Sequence, residues 1–252
     1  MEVIKSRKNQ LVLHMRKLGT DKAYRGETGL YLCQGEKLLY EAIENRAVIN
    51  EVLYSGTKPV LPEDTRAYPA AFDILEYVSP FQSAPELVFS CKIPADSALP
   101  VSGRAVILED LQDPGNVGTI MRTAAAFGFG TVIFAGDCAD PYNPKTVRAS
   151  MGACFKTHIC RVKTGELSKL RLPIYASALS NESVLLSDVT LPPDFAFAVG
   201  NEGHGLSSEL LSISEKIIKI PMEPGSESLN AAIAAAVLMW EAYVKTEFSR
   251  GK

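Results

Sequence analysis

The sequence is poor in the side chains from which metal centres and disulfide frameworks are built. It has three histidines (His14, His158, His204) and five cysteines in 252 residues. The cysteine count is odd, no CxxC pair occurs, and no two histidines stand at ligand spacing. These absences argue against a zinc site and a disulfide scaffold, and fit reduced thiols in a cytoplasmic protein. No run of about 18 apolar residues is present, so no membrane partner is expected. The opening MEVIKSRKNQ has no apolar stretch of the kind a secretory signal needs. An excess of positive charge is also missing: 26 Lys and Arg against 29 Asp and Glu leave a net charge of −3. A purely electrostatic nucleic-acid binder would be strongly basic. Neither GxGxxG nor GxxxxGK[ST] occurs, which disfavours a dinucleotide-binding or P-loop enzyme.

What is present is an ordinary globular composition, 46% hydrophobic and 22% charged, in a chain long enough for two domains. Charge is unevenly spread. The first 30 residues hold seven basic side chains (Lys5, Arg7, Lys8, Arg16, Lys17, Lys22, Arg25) against three acidic ones. Charge alone allows either a solvated helix face or a nucleic-acid contact.

The first part of the chain alternates helix and strand patterns. KNQLVLHMRKL (8–18) and EKLLYEAIEN (36–45) predict helices. GLYLCQG (29–35) and INEVLYS (49–55) predict strands, and SAPELVFSC (83–91) reads as a further helix. ADSALPVSGR (95–104) is rich in turn-forming residues. Residues 98–103 are taken as the linker between a small α/β domain (1–97) and a second domain (104–252). In the second domain, apolar runs at 105–109, 131–136, 173–178, 195–200 and 216–221 alternate with helical segments. That pattern predicts a parallel sheet covered on both faces. The last helix, LNAAIAAAVLMWEAYVK (229–245), is apolar almost all round and is expected to be largely buried.

Parallel sheets bind ligands beyond the carboxyl ends of their strands. Three loops at such ends carry unusual chemistry. DPGNVGTIMRTA (113–124) opens a helix, with Asn116 suited to an N-cap and Arg122 as a lone charge about 9 Å further along the axis. VGNEGHGLSSE (199–209) combines close-approach glycines with Asn201 and Glu202. IPMEPGSESLNAAIAAAV (220–237) leads through Gly225 and Ser226 to Ser228 and Asn230, either of which suits the N-cap of the last helix. Taken singly, each loop also has a purely structural reading as a cap or a turn.

In this order and at these strand ends, the three segments resemble the three signature motifs of the SpoU/TrmH family within the SPOUT methyltransferases. The resemblance covers roughly residues 104–245. The segment SRKNQLVLHMRKL…YRGETGLYLCQGEKLLYEA is similar, more loosely, to the family's accessory RNA-binding domain, a small α/β fold like that of a ribosomal protein. The resemblance implies a C-terminal SPOUT domain with a deep trefoil knot, and a homodimer formed through it. It implies methyl transfer from S-adenosylmethionine to a ribose 2′-hydroxyl of structured RNA, ribosomal rather than transfer RNA. Carried over residue by residue, it assigns the chemistry to Arg122, Asn116, Glu202, Ser228 and Asn230. The cofactor falls to Ser177, Gly200, Asn201, Ile220, Met222 and Leu229. It favours RNA contact for Arg7, Lys8, Arg16, Lys17, Lys22 and Arg25. An alcohol is a poor nucleophile whose proton must be drawn off as the new bond forms. A guanidinium is protonated at neutral pH, so Arg122 is expected to position and stabilise the developing alkoxide. Two alternatives remain open on the sequence: a transfer-RNA methyltransferase, and a non-catalytic RNA-binding protein with the same fold.

Overall fold

The computed structural model describes residues 2–63, 65–83, 85–180, 182–223 and 228–248. Gly225 and Ser226, singled out above, lie outside the described residues. The chain forms two compact units. One comprises the chain up to Ala95 together with Asp140–Phe155, and the other comprises Asp96–Ala139 together with the chain from Lys156 onward.

The first unit begins with helix α1 (Gln10–Thr20), capped by the Asn9 side chain, which accepts from the Leu11 N–H at 2.9 Å. Asp21 then caps α2 (Lys22–Thr28), and Gly29 ends that helix in the left-handed conformation at φ 65°. Strand β1 (Leu30–Gln34), helix α3 (Glu36–Glu44), strands β2 (Ile49–Tyr54) and β3 (Arg66–Pro69), helix α4 (Phe72–Val78) and strand β4 (Leu87–Lys92) follow. The sheet order is β1-β4-β2-β3. Strand β4 pairs antiparallel with both β1 and β2, and β2 pairs parallel with β3. The helix expected over 83–91 is therefore a strand from Leu87. Its five residues Leu87–Cys91 are all buried, and a central strand flanked on both edges has no polar face from which to tell it from a helix. Val12, Met15 and Leu18 of α1 pack with Leu32, Leu53, Ile74 and Val88 in the core.

The second unit starts with β5 (Arg104–Glu109), α5 (Pro114–Ala126) and β6 (Thr131–Ala135). The chain then contributes 140–155 to the first unit, including α6 (Pro144–Ser150), before returning as β7 (His158–Val162). Within the first unit, the Tyr142 ring packs tilted against that of Tyr31, with centroids 4.8 Å apart. Asp140 receives Arg25 Nε and Nη2 at 3.0 and 2.7 Å. Strands β8 (Ile174–Ser177), β9 (Val184–Leu185) and β10 (Phe195–Val199), helix α7 (Ser208–Ile213), strand β11 (Lys216–Lys219) and helix α8 (Ala231–Tyr243) complete the second unit. The strand order is β7-β6-β5-β10-β8-β11-β9, and every pairing is parallel. One side chain layer holds Ala105, Ile107, Ile133 and Ala198 against Leu206 and Leu210 near α7. Phe129, Phe195, Phe197 and Tyr175 form an interlocking aromatic group, with Phe195 and Phe197 centroids 5.0 Å apart. Such double-sided burial explains why the strands are near-continuous apolar runs.

Two local expectations are corrected. The N-cap of α5 is Asp113, whose carboxylate accepts from the Asn116 N–H at 2.9 Å. Pro114 takes the first helical position, where a missing N–H costs nothing, and so Asn116 lies inside the first turn. Helix α8 is not buried all round. Ala231, Ala235, Leu238, Met239 and Ala242 face the core, whereas Ile233 is 53% and Trp240 52% exposed. With Val237 also exposed, the three form a stripe at helical spacing.

Candidate active site

The carboxyl ends of four neighbouring strands, β5, β10, β8 and β11, meet on one side of the second unit. At the end of β5, Glu109 is 1% exposed, and its carboxylate accepts from the Ser207 N–H and hydroxyl, both at 2.7 Å. The next residue, Asp110, offers its carbonyl to Asn201 Nδ2 at 2.8 Å. These two residues hold the 200–207 loop from both ends. Within the loop, Asn201 and Gly205 exchange backbone hydrogen bonds at 3.2 and 3.0 Å, and Gly203 N–H donates to Asn201 Oδ1 at 2.8 Å. Gly200 is required here because a Cβ would overlap the Gly205 carbonyl and stand 2.6 Å from the Leu206 nitrogen. The second motif is thus a closed turn whose backbone folds onto itself at its entry.

The first and third motifs are tied to it by side chains. Asn116 Nδ2 donates to Glu202 Oε1 at 2.6 Å, and Asn116 Oδ1 accepts from Asn230 Nδ2 at 3.1 Å. Asn230 is the N-cap of α8, with its Oδ1 accepting from the Ala232 and Ile233 N–H groups. Each amide has one orientation that satisfies both neighbours. The chain of donors runs from the α8 N-terminus to the Glu202 carboxylate, fixing that carboxylate relative to all three loops. The capping role and the site role of Asn230 are therefore carried by the two ends of one side-chain amide.

Beside this chain lies a cleft of about 430 Å³. All six residues assigned to the cofactor, Ser177, Gly200, Asn201, Ile220, Met222 and Leu229, line it, as do Glu202 and Ser228. Its size falls in the range of small-molecule sites, and small residues such as Ala178, Gly205, Ala231 and Ala234 leave backbone groups within reach of a ligand. Those features fit a nucleoside-containing cofactor, whose base is packed by apolar atoms and read by main-chain groups. Arg122 is the one assigned catalytic residue not gathered into this cluster. It sits at an exposed position of α5, and its guanidinium has no hydrogen bond or ion pair among the described residues. His204 and Lys219 also line the cleft and were missed, as was Glu109. A lone acid ending the apolar run AVILE was the available signal for Glu109.

A model of the SpoU rRNA methylase family matches residues 103–240. This chain belongs to the SpoU rRNA methylase family. It is 31% identical over 247 residues to RlmP of Bacillus subtilis (strain 168), a 23S rRNA (guanosine(2553)-2′-O)-methyltransferase, with 95% of this chain and 98% of RlmP covered. Its structure is similar to that of an rRNA methyltransferase from Sinorhizobium meliloti bound to S-adenosylmethionine, with a TM-score of 0.87 and 26% identity over 97% of this chain and 98% of the other. The SpoU methyltransferase AviRb from Streptomyces viridochromogenes, in complex with the same cofactor, gives a TM-score of 0.85 and 26% identity, covering 94% of this chain and 98% of AviRb. The mixed α/β architecture with a large parallel sheet is that of SPOUT methyltransferases.

The basic residues of this SpoU chain divide into two sets. Arg7, Lys8, Arg16, Lys17 and Lys22 are exposed. Arg25 is 3% exposed, ion-paired with Asp140 and bonded to the Leu18 carbonyl at 2.9 Å. Its charge is consumed inside the first unit, so it is withdrawn from the RNA-contacting set. The thiols are also spoken for by burial, which pushes Cys138 up to about 11 and Cys154 up to about 12. Thiols held neutral in this way are not nucleophiles near neutral pH.

Proposed function

We propose that this chain methylates a ribose 2′-hydroxyl of ribosomal RNA, with S-adenosylmethionine as the donor. The observation that carries this reading is the Glu202–Asn116–Asn230 chain beside a cleft at the ends of adjacent parallel strands. Bound S-adenosylmethionine supplies an electrophilic methyl on a positively charged sulfur. The chain's own residues must hold the ribose and manage one proton. In our reading, Gly200, Ile220 and Leu229 present backbone groups to the cofactor, and Ser177, Asn201 and Met222 complete its walls. Asn116 and Asn230 hold the Glu202 carboxylate in register, and Ser228 orients the incoming hydroxyl. Arg122 stabilises the alkoxide as the proton leaves. Near-normal turnover of Arg122→Lys, which keeps the charge and loses the planar fork, would remove that role.

Finer features of the reading follow from the same family. Strand β11 slots between β8 and β9 after the chain has passed through β10, an order that supports threading of the C-terminal segment as a trefoil knot. The Ile233, Val237 and Trp240 stripe supports a homodimer formed through the second unit. We assign RNA binding to a ribosomal-protein-like domain at 1–97, linked through 98–103 to a methyltransferase domain at 104–252, with 140–155 serving the first. Among the described residues, no helix is long and apolar enough to cross a membrane. By its likeness to a bacterial rRNA methyltransferase, we place the protein in the cytoplasm.

The test is incubation of the protein with methyl-labelled S-adenosylmethionine and a mixture of unmodified ribosomal RNA and transfer RNA, followed by mapping of ribose-methylated positions. Label at one ribose is expected. Label on a base, or only on transfer RNA, overturns the reading.

A further inference from the structure

Three arginines of the first unit are stacked on two aromatic rings that stand four residues apart in the chain. The Arg16 guanidinium carbon lies 3.9 Å from the Tyr77 ring centroid, and that of Arg7 lies 5.0 Å from the same centroid. Arg16 Nη1 also donates to the Tyr77 carbonyl at 2.5 Å. Arg148 stands 4.7 Å from the Phe81 centroid. The connecting segment is held in shape by Ser79, whose hydroxyl accepts from the Phe81 N–H at 3.2 Å. Arg7, Arg16 and Arg148 are exposed, while Tyr77 and Phe81 are half-buried.

Two features distinguish this patch from a solvated charged face. First, only Arg7 and Arg16 belong to the basic N-terminal stretch. Arg148 comes from α6, in the segment that the chain delivers to the first unit from between two strands of the parallel sheet. Second, none of the three arginines forms an ion pair with an acid among the described residues. A guanidinium stacked on a ring has already lost much of its rotamer freedom, so less is lost when it binds. It keeps a flat face for a base and N–H groups for phosphate. Paired RNA is recognised mostly through its backbone and 2′-hydroxyls, whereas unpaired bases are taken up on aromatic rings and arginine planes.

We propose that Arg7, Arg16 and Arg148, stacked on Tyr77 and Phe81, form a surface for unpaired nucleotides of the RNA substrate, so that residues 140–155 contribute to RNA contact. The proposal rests on the RNA-methyltransferase reading and adds to it a location and a preference. The surface selects RNA by stacking as well as by charge. Lysine in place of arginine therefore does not suffice.

The test measures fluorescence anisotropy of the full-length protein with a labelled RNA stem-loop carrying about ten unpaired loop bases, and with a fully paired duplex of equal length. S-adenosylmethionine affinity, followed by calorimetry, and ribosomal RNA methylation are measured in parallel. The wild type is expected to favour the stem-loop. Arg148→Ala and Arg148→Lys should each weaken stem-loop binding about fivefold or more, and Arg7→Ala with Arg16→Ala about tenfold or more. Cofactor affinity should be unchanged in all of them, which also reports that the exposed-residue variants are folded. Phe81→Leu, read alongside its melting temperature, should behave like Arg148→Ala. Wild-type methylation with unaltered RNA affinity in the arginine variants overturns the surface alone. Equal affinity for duplex and stem-loop overturns the preference for unpaired bases. A wild type that neither binds RNA nor methylates it overturns both this proposal and the functional reading.

Discussion

Glu109, closed off from solvent at the end of β5, accepts two hydrogen bonds from a single residue, Ser207, which is itself the N-cap of α7. Bonds to an ionised acceptor are stronger than neutral ones, about 1.5–3 kcal/mol each. Glu109→Gln keeps the shape but turns one acceptor oxygen into an NH2 group. The NH2 group can donate to the Ser207 hydroxyl oxygen, but the hydroxyl proton then loses its acceptor and the remaining bond loses its ionised partner. We expect a loss of about 2 kcal/mol and a melting temperature lower by roughly 4–8 °C. The cofactor should bind more weakly too, because the 200–207 loop is released at one end. Differential scanning calorimetry with and without S-adenosylmethionine measures both. An unchanged melting curve would show that the loop is held by other contacts.

Asn116→Asp places a second carboxylate at a position now 2.6 Å from Glu202 Oε1. Two carboxylates that close cannot both ionise easily, and one of them takes up a proton at higher pH than usual. Methyl transfer by the variant should fall at least tenfold near pH 8 and recover partly as the pH is lowered towards about 6. Initial rates across that range, compared with wild type, test the amide's part in holding Glu202. A variant profile parallel to that of wild type would contradict it.

Trp240→Glu puts a charge at the C-terminal end of the exposed apolar stripe of α8. If the stripe is the seam between two copies, a buried unpaired charge costs several kcal/mol and the dimer separates. Sedimentation velocity at micromolar concentration should show dimers for wild type and monomers for the variant. A monomeric wild type, or a dimeric variant, would assign the stripe to something else.

Burial raises the pKa of Cys138 to about 11 and that of Cys154 to about 12 from an ordinary value of 9.0. Both thiols are thus kept neutral by the fold. Their contribution to stability is whole below about pH 9 and is lost as the pH climbs towards the folded-state values. Urea midpoints should fall between about pH 9 and 11, and Cys154→Ser and Cys138→Ala should flatten that decline. A decline of the same steepness in the variants would assign it to other groups.

The parallel sheet was legible because its strands are apolar on both faces and its strand-end loops carry uncommon residue combinations. Strands β3, β7 and β9 were not read because they are partly exposed and lack the continuous apolar run that marked the others, and helix α4 starts after Ala71 with no capping side chain to announce it. Asp113 and Asn116 are both good caps on paper, and Pro114 was the residue that decided between them. The burial of Arg25 depends on Asp140, 115 residues away, and no local pattern carries such a pairing. The site was more legible than its surroundings. Its residues lie in three short motifs, and the hydrogen bonds among Glu202, Asn116 and Asn230 join those motifs directly. Glu109 was overlooked because a charged residue ending a strand ordinarily marks solvent.

The passage of 140–155 into the first unit has a consequence for how such proteins can be recombined. Three peptide links join the units, after Ala95, Ala139 and Phe155. A gene fragment cut at residue 95 would leave Arg25 without its counter-ion and Tyr31 without the Tyr142 ring it packs against. The N-terminal unit is therefore not a contiguous cassette. A chimera that grafts it onto another methyltransferase must transplant the sixteen residues of α6 and its flanks as well, with breakpoints in the loops after β6 and before β7.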